Sequence, residues 1–176
     1  MAGHHFISYS RLPEAETFAF RLYDALQAGP PSHAVWLDQR DLNPATDWDE
    51  QIVEALRTCN SLLFVMTRDS VEPQSGCKLE WTRALKYKKP VVPLLLHRDA
   101  EQPFGLGNRQ HIDFSGDFPP ALARLRDYLH TLASPVGVLQ GMKDRLADAQ
   151  RDLRRAYDPE ERGRIEITGC EFCKCS

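Results

Sequence analysis

The sequence lacks the glycine-rich motifs that usually bind nucleotide phosphates. No G-x-x-x-x-G-K-[ST] occurs in its 176 residues, so a P-loop is not indicated. Gly105-Leu106-Gly107 opens no evident helix, and G-x-G-x-x-G is missing. A G-x-S-x-G nucleophile elbow is also absent. Any site for a nucleotide must therefore use other residues.

Long apolar runs and an excess of basic residues are missing as well. No run approaches the roughly 20 residues that a membrane span needs, and the N-terminus lacks the layout of a signal peptide. Lysine and arginine number 22 against 25 acidic residues, for a net charge of −3. Nothing here favours nucleic acid or a membrane as a partner. We expect a cytoplasmic globular protein, since 42% of the residues are apolar and 27% charged.

The cysteines are few and odd in number, five in all. Cys59 and Cys77 fall on predicted core faces of helices, which indicates reduced thiols. Cys170, Cys173 and Cys175 have C-x-x-C-x-C spacing without a matching second pair, so we expect no metal there. We interpret residues 167–176 as a disordered or truncated tail.

Short apolar segments alternate with helical patterns along the first three quarters of the chain. They predict five strands, at residues 4–10, 34–38, 61–67, 91–96 and 110–114. Such alternation predicts an α/β fold, a doubly wound, flavodoxin-like parallel sheet with helices on both faces. Pro93 in the fourth strand favours an edge or a bulge, because proline donates no ladder hydrogen bond.

Polar residues follow three of these strands, at 8–11, 38–40 and 67–70. Carboxyl ends of parallel strands share one edge of the sheet, where ligands bind. The next helix carries Glu80 inside an apolar stripe that includes Cys77 and Trp81, so partial desolvation should raise its pKa. The alternative is an ordinary boundary glutamate that reaches water.

Two further segments have defined patterns. Residues 39–45 are a polar loop, and the helix after it has a predicted buried face formed by Trp48, Ile52, Ala55, Leu56 and Cys59. Beyond residue 133 the composition changes, which predicts a domain at 1–133 and a helical extension at 134–166. Its apolar residues have heptad spacing: Leu139, Met142, Leu146, Ala149, Leu153 and Ala156. The alternative is a helix packed on the domain.

Taken together, these segments resemble the TIR (Toll/interleukin-1 receptor) domain. Residues 6–10 are similar to its first strand. Trp36-Leu37-Asp38 resembles its second strand, the polar loop that follows resembles its BB loop, and the helix after that loop resembles the next helix of the family. Cys77-Lys78-Leu79-Glu80 resembles its C-x-x-E signature, and residues 89–93 its fourth strand.

The resemblance implies one of two functions. Bacterial-type members cleave NAD+ at the nicotinamide–ribose bond, with NAD+ as substrate and no cofactor, whereas receptor adaptors are non-enzymatic scaffolds. Glu80 matches the catalytic glutamate of the first kind. The family's substrate-binding positions correspond here to Tyr9, Ser10, Arg11, Asp38, Arg40 and Leu42. Several cleaving members have a tryptophan where this chain has Gly76, which mildly favours the scaffold.

The family also implies assembly. Self-association would use the BB loop, residues 39–46, and the helix from Trp48, and activity would depend on it. Residues 138–157 would join a sensor module or a partner chain in an immune or antiphage system. The trigger, and whether the product is linear or cyclic ADP-ribose, stay open.

Overall fold

A computed structural model of the chain describes residues 3–41, 47–106 and 110–156. Its five strands are β1 (His5–Ser8), β2 (Val35–Trp36), β3 (Ser61–Met66), β4 (Val91–Leu95) and β5 (Ile112–Asp113). The α-helices are α1 (Pro13–Ala28), α2 (Asp38–Asp41), α3 (Trp48–Thr58), α4 (Gly76–Lys86), α5 (Phe118–Ala133) and α6 (Pro135–Ala156). One 3-10 turn covers Phe104–Leu106.

The sheet is entirely parallel in the order β2-β1-β3-β4-β5. This is the flavodoxin-like order, so the predicted fold class is confirmed. The strand order reverses between β1 and β3, which pair directly from His5 opposite Ser61 to Ser8 opposite Phe64. Ligands in such sheets bind beyond the carboxyl ends of the strands at this reversal.

Both faces of the sheet are covered. On one face, Phe6 of β1 and Leu62 and Phe64 of β3 pack in a buried cluster with Leu56 of α3 and Trp81 of α4. Alternate residues point the opposite way along a strand, so Ile7, Leu63 and Val65 face the other side. All of them are buried, as expected for a central parallel strand.

Helices α1 and α5 pack together on that second side. Phe18 of α1 contacts Phe114 edge-on, with ring centroids 5.1 Å apart, and Phe118 of α5 at 5.9 Å. Arg126 of α5 donates a hydrogen bond to the carbonyl of Ala25 at 2.6 Å. The two helices are therefore joined by ring packing and by a charged hydrogen bond.

Pro93 lies in an interior strand, contrary to the edge or bulge that its sequence favours. It is in register with Phe64 of β3, while β5 is in register only with Leu94 and Leu95. The short β5 therefore has no residue opposite Pro93. Because proline has no backbone N–H to donate, its place beside the unpaired end of β5 costs no hydrogen bond between the described residues of β4 and β5.

The first residues of the loop predicted after β2 are helical. Asp38–Asp41 forms one helical turn, because Asp41 accepts a hydrogen bond from the Leu37 amide at 2.7 Å and Asp38 one from the Gln39 amide at 2.7 Å. Short acidic side chains often satisfy the amides of a first helical turn in this way. Residues 42–46 of the predicted BB loop lie outside the described residues.

The helix α6 has apolar residues on its surface. Leu139, Met142, Leu146 and Leu153 of the heptad pattern are all exposed. The chain divides into two compact units, Met1–Leu129 and His130–Ser176, and the boundary predicted at residue 133 stays a prediction. None of the described helices is both long and apolar enough to cross a membrane.

Leu22→Ala should lower the free energy of unfolding by about 2–5 kcal/mol, because Leu22 is fully buried in α1 and its removal leaves a cavity. Leu79→Ala in the same unit is the control, since Leu79 is 73% exposed and its loss should cost less than about 0.5 kcal/mol. Urea denaturation measures both. Equal losses for the two variants would contradict the described core.

Candidate active site

A hydrogen bond joins the carboxyl end of β1 to the middle of α4. Ser8 is buried and is the last residue of β1, and its hydroxyl donates to Oε2 of Glu80 at 2.5 Å. Helix α4 begins at Gly76 because the Ser75 side chain accepts the Cys77 amide at 3.2 Å. Cys77 and Trp81 are buried on the same helix. This packing holds Glu80 against the strand end.

The carboxyl group of Glu80 has an unusual pKa. Its pKa is raised overall to about 7. Burial is the largest cause. The hydrogen bond from Ser8 and the charge of Arg11 lower the pKa, whereas the nearby charge of Asp38 raises it. Desolvation disfavours the carboxylate more than these partners stabilise it. The raised pKa agrees in direction with the partial desolvation that the sequence pattern led us to expect.

Three polar residues form a second cluster beside Glu80. The Tyr9 hydroxyl donates to Oδ1 of Asp38 at 2.9 Å, and Arg11 forms an ion pair with Oδ2 of Asp38 and donates to the Tyr9 hydroxyl at 3.1 Å. Burial, followed by the Asp38 charge, raises the pKa of Tyr9 above its ordinary value. Tyr9 thus stays protonated and fixes the Asp38 carboxylate.

These residues line one cleft of about 500 Å³ at the carboxyl edge of the sheet. Five of the residues predicted for the site meet there: Tyr9, Ser10, Arg11, Asp38 and Glu80. The Ser10 hydroxyl lies 3.1 Å from that of Thr67, so β1 and β3 are also connected at their ends. The size suits a small organic ligand with a few polar anchors.

Among the described residues, Arg40 was predicted for the site but is not one of the groups that line this cleft. Arg40 points to α1, where its guanidinium forms an ion pair with Asp24 and lies 4.8 Å from the ring centres of Phe20 and Tyr23. The prediction placed Arg40 in the pocket, but an acidic and aromatic surface on α1 holds it elsewhere. Leu42 lies outside the described residues.

The cleft also contains residues that the sequence analysis did not assign to it. Leu79, Arg83 and Trp48 line its wall. Trp48 was predicted in the buried face of α3 and is instead 53% exposed. Trp48 is the first residue of α3, whereas the buried residues of this helix, Ala55 and Leu56, lie in its second half. Ser8, the direct partner of Glu80, was recognisable only as part of a strand end.

The buried cysteines do not add a second reactive centre. Burial raises the pKa of the thiols of Cys59 and Cys77 to about 11 each, and both thiols are free. A thiol that stays protonated is a poor nucleophile. Within the described ranges no group of three His, Cys, Asp or Glu is arranged to hold a metal. Cys170, Cys173 and Cys175 lie beyond those ranges.

The family of the chain follows from comparison with known sequences. A family model described as TIR domain matches residues 6–126, which is more than half of the chain. The protein therefore belongs to the TIR domain family, as the resemblance indicated. No curated protein matched the sequence.

Solved structures with low sequence identity share this fold. The TIR domains of the activated Roq1 resistosome, which recognises the effector XopQ, match with 14% identity and a TM-score of 0.58, covering 72% of this chain and 99% of that one. The TIR domain of the Toll-related receptor TRR-2 of Hydra magnipapillata has 24% identity and a TM-score of 0.53, covering 70% and 95%. A 2-desoxiribosyltransferase of Leishmania mexicana has 14% identity and a TM-score of 0.52, covering 71% and 96%.

Glu80→Gln should stabilise the fold more at about pH 8 than at about pH 4.5. The carboxyl pKa is raised from 4.5 in the unfolded chain to about 7 in the folded one, so ionisation penalises the folded state increasingly as the pH rises through this window. The gain should reach on the order of 2–3 kcal/mol above pH 7. Urea denaturation at both pH values measures it.

The exposed Glu72 provides the matched control. Glu72→Gln should change stability little at either pH, because surface substitutions rarely exceed about 0.5 kcal/mol. A Glu80→Gln protein whose stability gain is the same at both pH values would show that Glu80 is not desolvated.

Proposed function

We propose that this protein is an NAD+ glycohydrolase that cleaves the nicotinamide–ribose bond with Glu80 as its catalytic residue. The observation that carries the proposal is the Glu80 carboxyl group, which Ser8 holds at the wall of a ligand-sized cleft. A partly desolvated carboxylate in a cleft is a frequent sign of a functional site. Membership of the TIR family supports the same activity, since members of this family include enzymes that cleave NAD+.

The chemistry suits a single carboxylate. Ordinary glycoside hydrolysis needs two carboxyl groups, one of which protonates the leaving oxygen. Nicotinamide instead leaves NAD+ as a neutral molecule, because the electron pair of the broken C–N bond neutralises the positive pyridinium nitrogen. No general acid is required. Glu80 has only to stabilise the positive charge that develops on the ribose.

The second half of the reaction fills the vacated position on the ribose. Water forms the new C–O bond and loses its proton to Glu80 or to solvent, which yields nicotinamide and ADP-ribose. If a nitrogen of the adenine ring attacks instead, the product is a cyclic isomer. The shape of the cleft decides between the two, and no cofactor enters either route.

The neighbouring groups fit a dinucleotide. The exposed half of Arg11 and the side chain of Arg83 line the cleft and would attract the diphosphate, while Tyr9, Ser10 and Asp38 offer polar contacts to ribose. By fold-level analogy alone, a protein with this fold is a 2-desoxiribosyltransferase, so the fold is compatible with transfer of a sugar group.

We also propose that the cytoplasmic protein acts when assembled, as the effector part of an immune or antiphage system. One structural relative is an activated resistosome. The predicted contacts are the BB loop, residues 39–46, and the helix from Trp48. The exposed apolar residues of α6, Leu139 and Leu146 among them, support a partner chain or sensor module along residues 138–157.

A non-enzymatic scaffold is the second candidate. The observation that favours it is the exposure of Leu79 and Trp48, at 73% and 53%, since apolar side chains on a surface often mark protein contacts. In this case the domain would recruit other TIR domains, and substitution of Glu80 would leave association unchanged.

The wild-type protein should release nicotinamide from NAD+, with a rate per subunit that rises steeply with protein concentration or with a crowding agent. Glu80→Ala should lose at least about a hundredfold in rate, as expected when the main electrostatic stabiliser is removed. Chromatography of the products measures both. Glu80→Gln, which keeps the shape of the side chain, should be nearly as inactive. An assembled, folded wild type without turnover would favour the scaffold.

The pH dependence offers a second test of the site. Activity should rise with pH through about 7, because the carboxylate form of Glu80 is the stabilising one. Ser8→Ala removes a hydrogen bond that lowers the pKa of Glu80, so the midpoint of the acidic limb of kcat/KM should move to higher pH.

Ser10→Ala is the matched control for Ser8→Ala. Ser10 ends the same strand region but bonds to Thr67 rather than to Glu80, so its loss should leave the midpoint in place. If the acidic limb of kcat/KM has the same midpoint in Ser8→Ala and in the wild type, the hydrogen bond from Ser8 does not affect the pKa of the Glu80 carboxyl group.

A further inference from the structure

Trp48 presents an indole ring to the cleft and has no ring partner among the described residues. The side chain is 53% exposed and lines the cleft that contains Glu80. Among the described residues, the aromatic and cation–π contacts join other rings and do not involve Trp48. A large ring is therefore available to a ligand.

The other aromatic residue of the cleft is not available in this way. Tyr9 is 7% exposed, its hydroxyl is bound to Asp38, and the Arg11 guanidinium lies 5.5 Å from its ring centre. Gly76 leaves space in the same cleft, because a Cβ placed there would meet no atom within 4 Å. A planar ligand has room to enter, and Trp48 offers the free ring face.

The surroundings of Trp48 are acidic. Asp47 caps α3 and accepts the amides of Asp49 and Glu50, and all three carboxylates lie in the first turn. They offset the positive end of the helix dipole. Asp49 lines the cleft next to Trp48. An indole face beside a carboxylate suits a flat cation, which gains both cation–π and Coulomb attraction.

We infer that Trp48 and Asp49 bind the positively charged pyridinium ring of the oxidised dinucleotide, and that Trp48 is the residue by which the cleft selects the oxidised over the reduced form. This inference rests on the proposed function and names the subsite of its substrate. The reduced ring is neutral and no longer fully aromatic, so it loses both attractions. Arg83, together with the exposed part of Arg11, which also pairs with Asp38, would face the phosphates.

The test is a binding titration on the full chain with Glu80→Gln, which prevents turnover. Nicotinamide mononucleotide, its reduced form and AMP are titrated separately by calorimetry. The oxidised mononucleotide should bind about five- to thirtyfold more tightly than the reduced one, a range set by cation–π energies. Adding Trp48→Ala should reduce this ratio to below about twofold and leave the affinity for AMP unchanged.

Two control variants accompany the titration. Trp48→Phe keeps an aromatic face and should retain most of the selectivity. Leu79→Ala removes another exposed apolar side chain from the same cleft and should leave the ratio unchanged. An effect of Trp48→Ala on AMP instead of the mononucleotide would place adenine on the indole and overturn the inference.

Sedimentation at the titration concentration separates ligand binding from assembly. If Trp48→Ala alters only the molecular mass and not the mononucleotide affinity, Trp48 belongs to a subunit contact and the inference fails. If the wild type turns over NAD+ but Trp48→Ala leaves the oxidised-to-reduced binding ratio unchanged, this inference alone is overturned. If the ratio depends on Trp48 but the wild type shows no turnover, the proposed glycohydrolase activity alone is overturned. If neither turnover nor selective binding is seen, both proposals are overturned.

Discussion

The hydrogen bond between Ser8 and Glu80 is the contact on which the candidate site depends. It joins the end of a central strand to a helix that is distant in sequence, and it does so at the edge of a buried cluster. Burial makes the carboxylate costly, and the serine hydroxyl recovers part of that cost. The fold thus keeps the pKa of Glu80 near neutral pH. A small change in its surroundings would therefore change the charge of its carboxyl group at that pH.

The fold keeps this carboxyl group beside a second, separate charge cluster. Asp38 is neutralised by Arg11 and fixed by Tyr9, so its effect on Glu80 is limited. Without that pairing, the Asp38 carboxylate would raise the pKa of Glu80 further. This pairing separates Asp38, which its partners hold as a fixed polar wall of the cleft, from the carboxyl group of Glu80.

The exposed residues of the cleft would connect the proposed activity with the proposed assembly. Trp48 and Leu79 are exposed to solvent and line the cleft. Trp48 is also close in sequence to the predicted BB loop. A ligand that covers the indole and a second subunit that contacts the same helix would influence one another. Such coupling is a physical route by which assembly and substrate binding become linked in a protein of this family.

From the sequence alone we predicted the order of elements, the parallel sheet and the place of Glu80 beside the strand ends, because hydrophobic periodicity and strand ends depend on local spacing. It also led to five cleft residues, since the carboxyl ends of parallel strands must meet. Only the tertiary structure decided that Arg40 binds Asp24 on α1, that Trp48 faces the cleft and that Ser8 binds Glu80. These outcomes depend on side-chain directions and on contacts between distant segments, which sequence spacing does not fix.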